Sequence, residues 1–221
     1  MVSLFSVFDP VSFLGVHMNW VVLGMVVVFS PLFFYGVGGI LFEGLKSFIQ
    51  KVELMFKEIS CPYHMGLAMM GITFFVFISL NNGVSMLPYV FGGTSHLVVT
   101  LSLGVILWVA FLFMGWLKNF MNSSSHLVPE GSPMMLAPFM VLIESVSHLI
   151  RPVTLSVRLA ANMMAGHLII GLISSISLVS VWGMVISVLL QSILLVLEWA
   201  VVFIQSFVFS VLIMLYALEY Y

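Results

Sequence analysis

Charge is what this sequence has least of. Of 221 residues, Lys and Arg account for 6 and Asp and Glu for 8, while 62% are apolar. Soluble domains carry about a quarter charged residues and need them to cover their surface, so a mean hydropathy of +1.26 excludes a soluble globule. The six basic residues and a net charge of −2 exclude a nucleic-acid-binding face, which needs clustered Lys and Arg. The one cysteine, Cys61, excludes an internal disulfide and any cysteine-based zinc or iron–sulfur site. No basic segment precedes the first apolar run and no small-residue cleavage motif follows it, which predicts that no secretory or transit peptide is removed and that the first helix is retained. An internal repeat is also missing, which weighs against an inverted-repeat transporter.

What is present is a series of long apolar runs. At 1.5 Å per residue and a hydrocarbon core about 30 Å thick, the chain has room for roughly five to seven spans and no soluble domain. The pattern predicts an all-α integral membrane protein, a single membrane domain over 1–221, with about five membrane helices and one interfacial helix. Span one is expected over 11–34, ended by Pro31 and the Gly36, Gly38, Gly39 cluster. Over 42–59 the apolar residues recur at spacings of 3 and 1, with Glu43, Lys46, Lys51, Glu53, Lys57 and Glu58 between them, the signature of an amphipathic helix lying along the interface. A helical hairpin follows at 66–87 and 97–117, divided by Pro88 and Gly92-Gly93-Thr94-Ser95. The last two runs, 134–173 and 181–220, are twice as long as a span requires and are parted by Ser174, Ser175, Ser177 and Ser180. Each must tilt steeply or break, and together they form an antiparallel hairpin. Lys46, Lys51, Lys57 and Lys118 fall on one side of the membrane. The positive-inside rule makes that side the cytoplasm-equivalent one, with the N-terminus outside and the C-terminus inside.

The penultimate helix holds nearly all the intramembrane ionisable groups. At about 100° per residue from Arg158, Arg151 falls near 20°, Glu144 and Asn162 near 40° and His148 near 80°, with Ser147 and Thr154 close by. This is one polar stripe about 27 Å long; His167, at about 180°, lies off it. Burying an Arg at mid-membrane costs about 2.5–3.5 kcal/mol on insertion scales, so such a stripe must face water or a protein partner. The structural alternative is an internal Glu144–Arg151 pair, which leaves Arg158 without a carboxylate. The last helix carries Gln191, Glu198 and Gln205 seven apart, hence on one face. A turn centred near 177–181 sets Arg158 opposite residues 196–204, between Glu198 and Gln205. Gln191 is read as plain interhelical hydrogen bonding.

The stretch His148-Leu-Ile-Arg-Pro-Val-Thr-Leu-Ser-Val-Arg-Leu-Ala-Ala-Asn-Met-Met-Ala-Gly-His167 resembles the signature of subunit a of F-type ATP synthases. The likeness covers nearly the whole chain. It includes Asn81-Asn82 at the end of span two, His126-Leu-Val-Pro129 before the long hairpin, and Glu198 with Gln205 beyond it. The opening Phe5-Ser-Val-Phe-Asp-Pro10, with His167 and Glu198 in their places, resembles the mitochondrial form of invertebrate animals.

The resemblance implies a stator subunit of the proton channel, not an enzyme on its own, needing no cofactor, nucleotide or metal. It would form two offset aqueous half-channels against a ring of c subunits with buried carboxylates. Its other partners would be peripheral-stalk and further Fo membrane subunits in the mitochondrial inner membrane, with the N-terminus in the intermembrane space and the C-terminus in the matrix. Arg158 would face the ring and bar a leak. His167 and Glu198 would line the outer half-channel, Glu144 with His148 the inner one, and Asn162 and Gln205 would support Arg158. His17, His64, His96 and His126 sit at span ends or in loops and read as polar anchors. The 42–59 helix would meet the stator or anchor at the interface. Two other classes remain open to test. A haem-carrying bundle needs paired histidines at matched depths, settled by an absorption spectrum. A secondary transporter with Arg158 as anion site would show uptake of labelled anions.

Overall fold

Long apolar runs without water to satisfy their backbone can only become helices, and a computed structural model shows this chain as helices alone. The structure describes residues 8–9, 20–35, 40–60, 65–87, 90–118, 120–121, 128, 135–177 and 181–220. Among them are six α-helices and no strand: α1 (Val21–Tyr35), α2 (Ile40–Ile59), α3 (Met65–Ser85), α4 (Leu97–Lys118), α5 (Ala137–Ile176) and α6 (Val181–Tyr220). A 3-10 turn, Gly93–Ser95, stands between α3 and α4. The helices α3, α4, α5 and α6 are long and apolar enough to cross a membrane. The first half of the expected span one, like His17, Cys61, His64, His126 and Pro129, lies outside the described residues. The described part, α1, continues through Pro31 and ends at Tyr35, just before the glycine cluster.

Of the two expectations for the long runs, tilting or breaking, the structure excludes a break. Helices α5 and α6 are each 40 residues long and uninterrupted, about 60 Å of helix against a hydrocarbon core of about 30 Å. Pro152 stands inside α5. It removes the N–H that would meet the His148 carbonyl, yet the helix runs on, and Ser156 Oγ donates to the Pro152 carbonyl at 2.8 Å. The end of α5 is closed by its serines: Ser174 Oγ donates to the Gly171 carbonyl at 2.7 Å and Ser177 Oγ to the Ser174 carbonyl at 2.6 Å. The Ser177 N–H also donates to the Ser174 carbonyl, at 3.3 Å, so one of the last four carbonyls of the helix is satisfied within the chain.

In a bilayer, helices gain little from leaving lipid for one another, so close approach over small residues holds them together. Gly71 of α3 faces Met214 of α6, and Gly83 of α3 faces Trp199 of α6, so the two helices lie side by side and antiparallel. Gly104 of α4 sits against Ser156 of α5. Around these contacts Leu67, Ile78, Phe111, Leu155, Leu159, Phe209 and Ile213 form one core where α3, α4, α5 and α6 converge. The amphipathic α2 turns Val52 and Phe56 onto Ala68, Ile72 and Phe75 of α3 and Met214 of α6. The protein's own spans thus cover the Val52 and Phe56 side of its apolar face, while its charged face carries a Lys57–Glu53 ion pair of 2.6 Å.

Candidate functional site

The hairpin of α5 and α6 carries the intramembrane ionisable residues at three levels. At the open end, Glu144 Oε1 lies 3.4 Å from His148 Nε2 and 3.6 Å from Arg151 Nη2. Spacings of four and seven put the three on one helical face, within reach of long side chains. The internal Glu144–Arg151 pair is therefore formed. One turn on, Thr154 Oγ1 donates to the Arg151 carbonyl at 3.0 Å.

Arg158 occupies the middle level. It is exposed on α5 and lines a cleft of about 380 Å³ with Arg151, Thr154 and Leu155 of α5 and Leu212, Leu215 and Tyr216 of α6. Among the described residues no carboxylate lies within 4 Å of it. Asn162 and Gln205 are half-buried. The contact of Gly166 with the Glu198 carboxylate fixes the register of the hairpin. Arg158 is eight residues from Gly166, about 12 Å along the axis, so it stands near the level of Gln205 rather than midway to Glu198.

The third level, nearer the turn, is the most buried. Glu198 is only 8% exposed, and its carboxylate lies so close to Gly166 that any side chain there would overlap it. His167 is next along α5, with Phe8 edge-on at a centroid distance of 6.3 Å. Against them pack the end of α3, with Asn82 and Ser85 each 1% exposed, and the 3-10 turn, with Thr94 and Ser95 at 2% and 3%. The His96 ring lies tilted against Trp20 and Phe91, both at a centroid distance of 5.2 Å. Asn82 Oδ1, Thr94 Oγ1, His96 Nε2, His167 Nε2 and Glu198 Oε2 are buried without a hydrogen-bond partner among the described residues. Each such atom costs about 1–3 kcal/mol if left dry. All five come from elements that meet at this level.

Sequence spacing gathers Glu144, His148, Arg151 and Arg158 on one face but gives no hint of Gly166 or of the α3 and 3-10 groups around His167. The one available signal was compositional: Gly92-Gly93-Thr94-Ser95-His96 and Asn81-Asn82 are small and polar beside long apolar runs. Among the described residues no cluster of three or more His, Cys, Asp or Glu side chains has a metal-binding arrangement.

An all-helical membrane protein with buried carboxylate and imidazole at one level, an arginine without a carboxylate partner among the described residues at the next and a Glu–His–Arg cluster beyond it belongs to the class that handles ions within the bilayer. Comparison with known proteins makes this specific. The family model described as ATP synthase A chain matches residues 16–217. Proteins named ATP synthase subunit a are 46% identical in Artemia franciscana, over 99% of this chain and all of the relative, and 40% identical in Anopheles quadrimaculatus and Drosophila yakuba, over 99% of both chains. The chain belongs to the ATP synthase A chain family.

Proposed function

We propose that this chain is the fixed half of the proton path of an F-type ATP synthase. It works against a ring of c subunits, each with one buried carboxylate, and turns proton flow into rotation of the ring and so into ATP synthesis. The observation that carries the reading is Arg158, an exposed guanidinium at mid-hairpin with no carboxylate of its own among the described residues. A permanent cation facing the bilayer needs a mobile anion from outside the chain.

The two flanking levels then serve as offset half-channels. His167 and Glu198 take protons from the outer side and hand them to a ring carboxylate. Once neutral, that carboxylate can travel through lipid. On completing its turn it meets Arg158, whose charge favours the ionised form, and releases its proton toward Glu144 and His148 on the inner side. Asn162 and Gln205 hydrogen-bond near Arg158 without neutralising it. The compartments follow from the lysines: intermembrane space at the N-terminus and matrix at the C-terminus of a mitochondrial inner-membrane protein. Peripheral-stalk and other Fo subunits are its further partners. α2 offers exposed Phe48, Leu54 and Met55 for them.

Arg158→Lys tests the reading. The charge is kept, but an ammonium is a compact, strongly hydrated point charge whose pKa falls when it is desolvated, unlike a guanidinium. ATP-driven proton pumping by the assembled complex is expected to be lost in Arg158→Lys. Arg151→Gln is expected to retain substantial pumping, since Arg151 is already paired with Glu144. Pumping at wild-type rate by Arg158→Lys overturns the assignment.

A further inference from the structure

The proton path proposed above needs water to reach His167, and the structure assigns a place for it. Gly92 precedes the 3-10 turn with φ −83° and ψ 89°, a conformation open to any L-residue, so the backbone does not demand glycine. A methyl group there would meet nothing closer than 3.5 Å: His167 Nε2 at 3.5 Å, Ser85 Cβ at 3.5 Å and Ser95 Oγ at 3.7 Å. Packing does not demand glycine either. The space that the missing side chain leaves is bounded by an imidazole nitrogen without a partner among the described residues and by a buried hydroxyl. Ser95 Oγ spends its proton on the Gly92 carbonyl at 2.6 Å, which leaves its lone pairs free to accept. His167 Nε2 and Ser95 Oγ lie no more than about 7 Å apart, a gap that one or two waters bridge.

We propose that Gly92 keeps open a water station through which protons pass from the Ser85, Thr94, Ser95 and His96 side of the molecule to His167 and on to Glu198. This rests on the proton-path reading and extends it to α3 and the 3-10 turn. The same level holds the partnerless atoms of Asn82, Thr94, His96, His167 and Glu198, which a short file of water would satisfy together. His96, one residue past the turn, adds a titratable group whose Nε2 is buried without a hydrogen-bond partner among the described residues.

The test uses the assembled synthase in sealed inner-membrane vesicles. Gly92→Ala should slow ATP-driven proton pumping about tenfold, as expected for removing one well-placed bridging water, with complex assembly and uncoupled ATP hydrolysis kept. Gly92→Cys in a Cys61→Ser background should react with a small cationic thiol reagent added from the intermembrane-space side, and that reaction should stop pumping. Wild-type pumping by Gly92→Ala, or a Gly92→Cys that is inert to the reagent, overturns the water station. His167→Ala and Glu198→Ala measured alongside separate the two levels of failure. If they lose pumping while Gly92→Ala does not, only the station falls; if they pump normally, the proton-path reading falls with it.

Discussion

Gly166→Ala offers a sharp perturbation, because one methyl group is set against one carboxylate. A Cβ built on Gly166 lies 2.7 Å from Glu198 Cδ, with Oε1 closer still and Oε2 at 3.3 Å. Carbon atoms rest at about 3.5–4.0 Å, so the carboxylate must withdraw by about 1 Å. Two opposing terms act on stability: alanine gains about 1 kcal/mol over glycine in a helix interior, while overpacking costs about 1–3 kcal/mol. The net change is small, and the variant should assemble. Function responds differently, since misplacing a reacting group by about 1 Å costs on the order of a hundredfold in rate. In vesicles bearing the assembled complex, acidification driven by ATP should therefore fall by one to two orders of magnitude (about 10–100-fold) while subunit content is unchanged. Glu198→Asp shortens the side chain by one methylene and should restore part of the rate in the Gly166→Ala background, although it slows the enzyme when made alone. Gly166→Ala pumping within about twofold of wild type would refute the argument that Glu198 works from the position it holds against α5.

Two further outcomes test the arrangement from other directions. With Cys61→Ser as background, His167→Cys and Glu198→Cys should be modified by a polar thiol reagent supplied from the intermembrane-space side and Glu144→Cys by reagent on the matrix side; the reverse pattern would invert the topology drawn from the lysines. The chain reconstituted alone in liposomes should conduct protons poorly under an imposed potential, and flux should appear only when the carboxylate-bearing ring is added and vanish when that carboxylate is blocked.

The fold class was legible because lipid leaves the backbone so few options: apolar runs of 20 and 40 residues can only be helices. The face shared by Glu144, Arg151 and Arg158 was legible for a similar reason, since helical periodicity is a local property. Local pattern gives less where two helices meet. It left the long runs undecided between tilting and breaking, because a proline costs a helix dearly in water but is tolerated where its neighbours repack around it, as with Pro152. The Glu144–Arg151 pair had been an alternative and is present, the two side chains spanning two turns on the same face. Contacts that depend on absent side chains escaped altogether. Gly166 against Glu198, Gly92 against His167 and Gly104 against Ser156 are set by the docking of separate helices, and no periodicity announces them. His167 looked isolated for that reason, lying off the stripe of its own helix while its neighbours come from α3 and the 3-10 turn.

In the proposed path, the three levels would let a lone arginine separate two wet regions. Glu198 and Glu144 lie on different helices at different heights, and Arg158 is about 21 Å along α5 from Glu144 and about 12 Å from Gly166. A proton approaching to 4 Å of the guanidinium meets a repulsion of about 4 kcal/mol at an effective dielectric of 20. A membrane potential of 100 mV supplies about 2.3 kcal/mol for one charge crossing the whole membrane, and less for any part of it. The field alone therefore drives few protons past Arg158. A neutralised carboxyl feels neither the field nor the arginine as a charge does, so in the proposed path the easier route would lead around the ring on a mobile carrier. Neither glutamate can be that carrier, since each is fixed to its own helix. On this proposal the energy of the crossing is available only to a separate moving part, and Arg158 would convert a leak into a requirement for rotation.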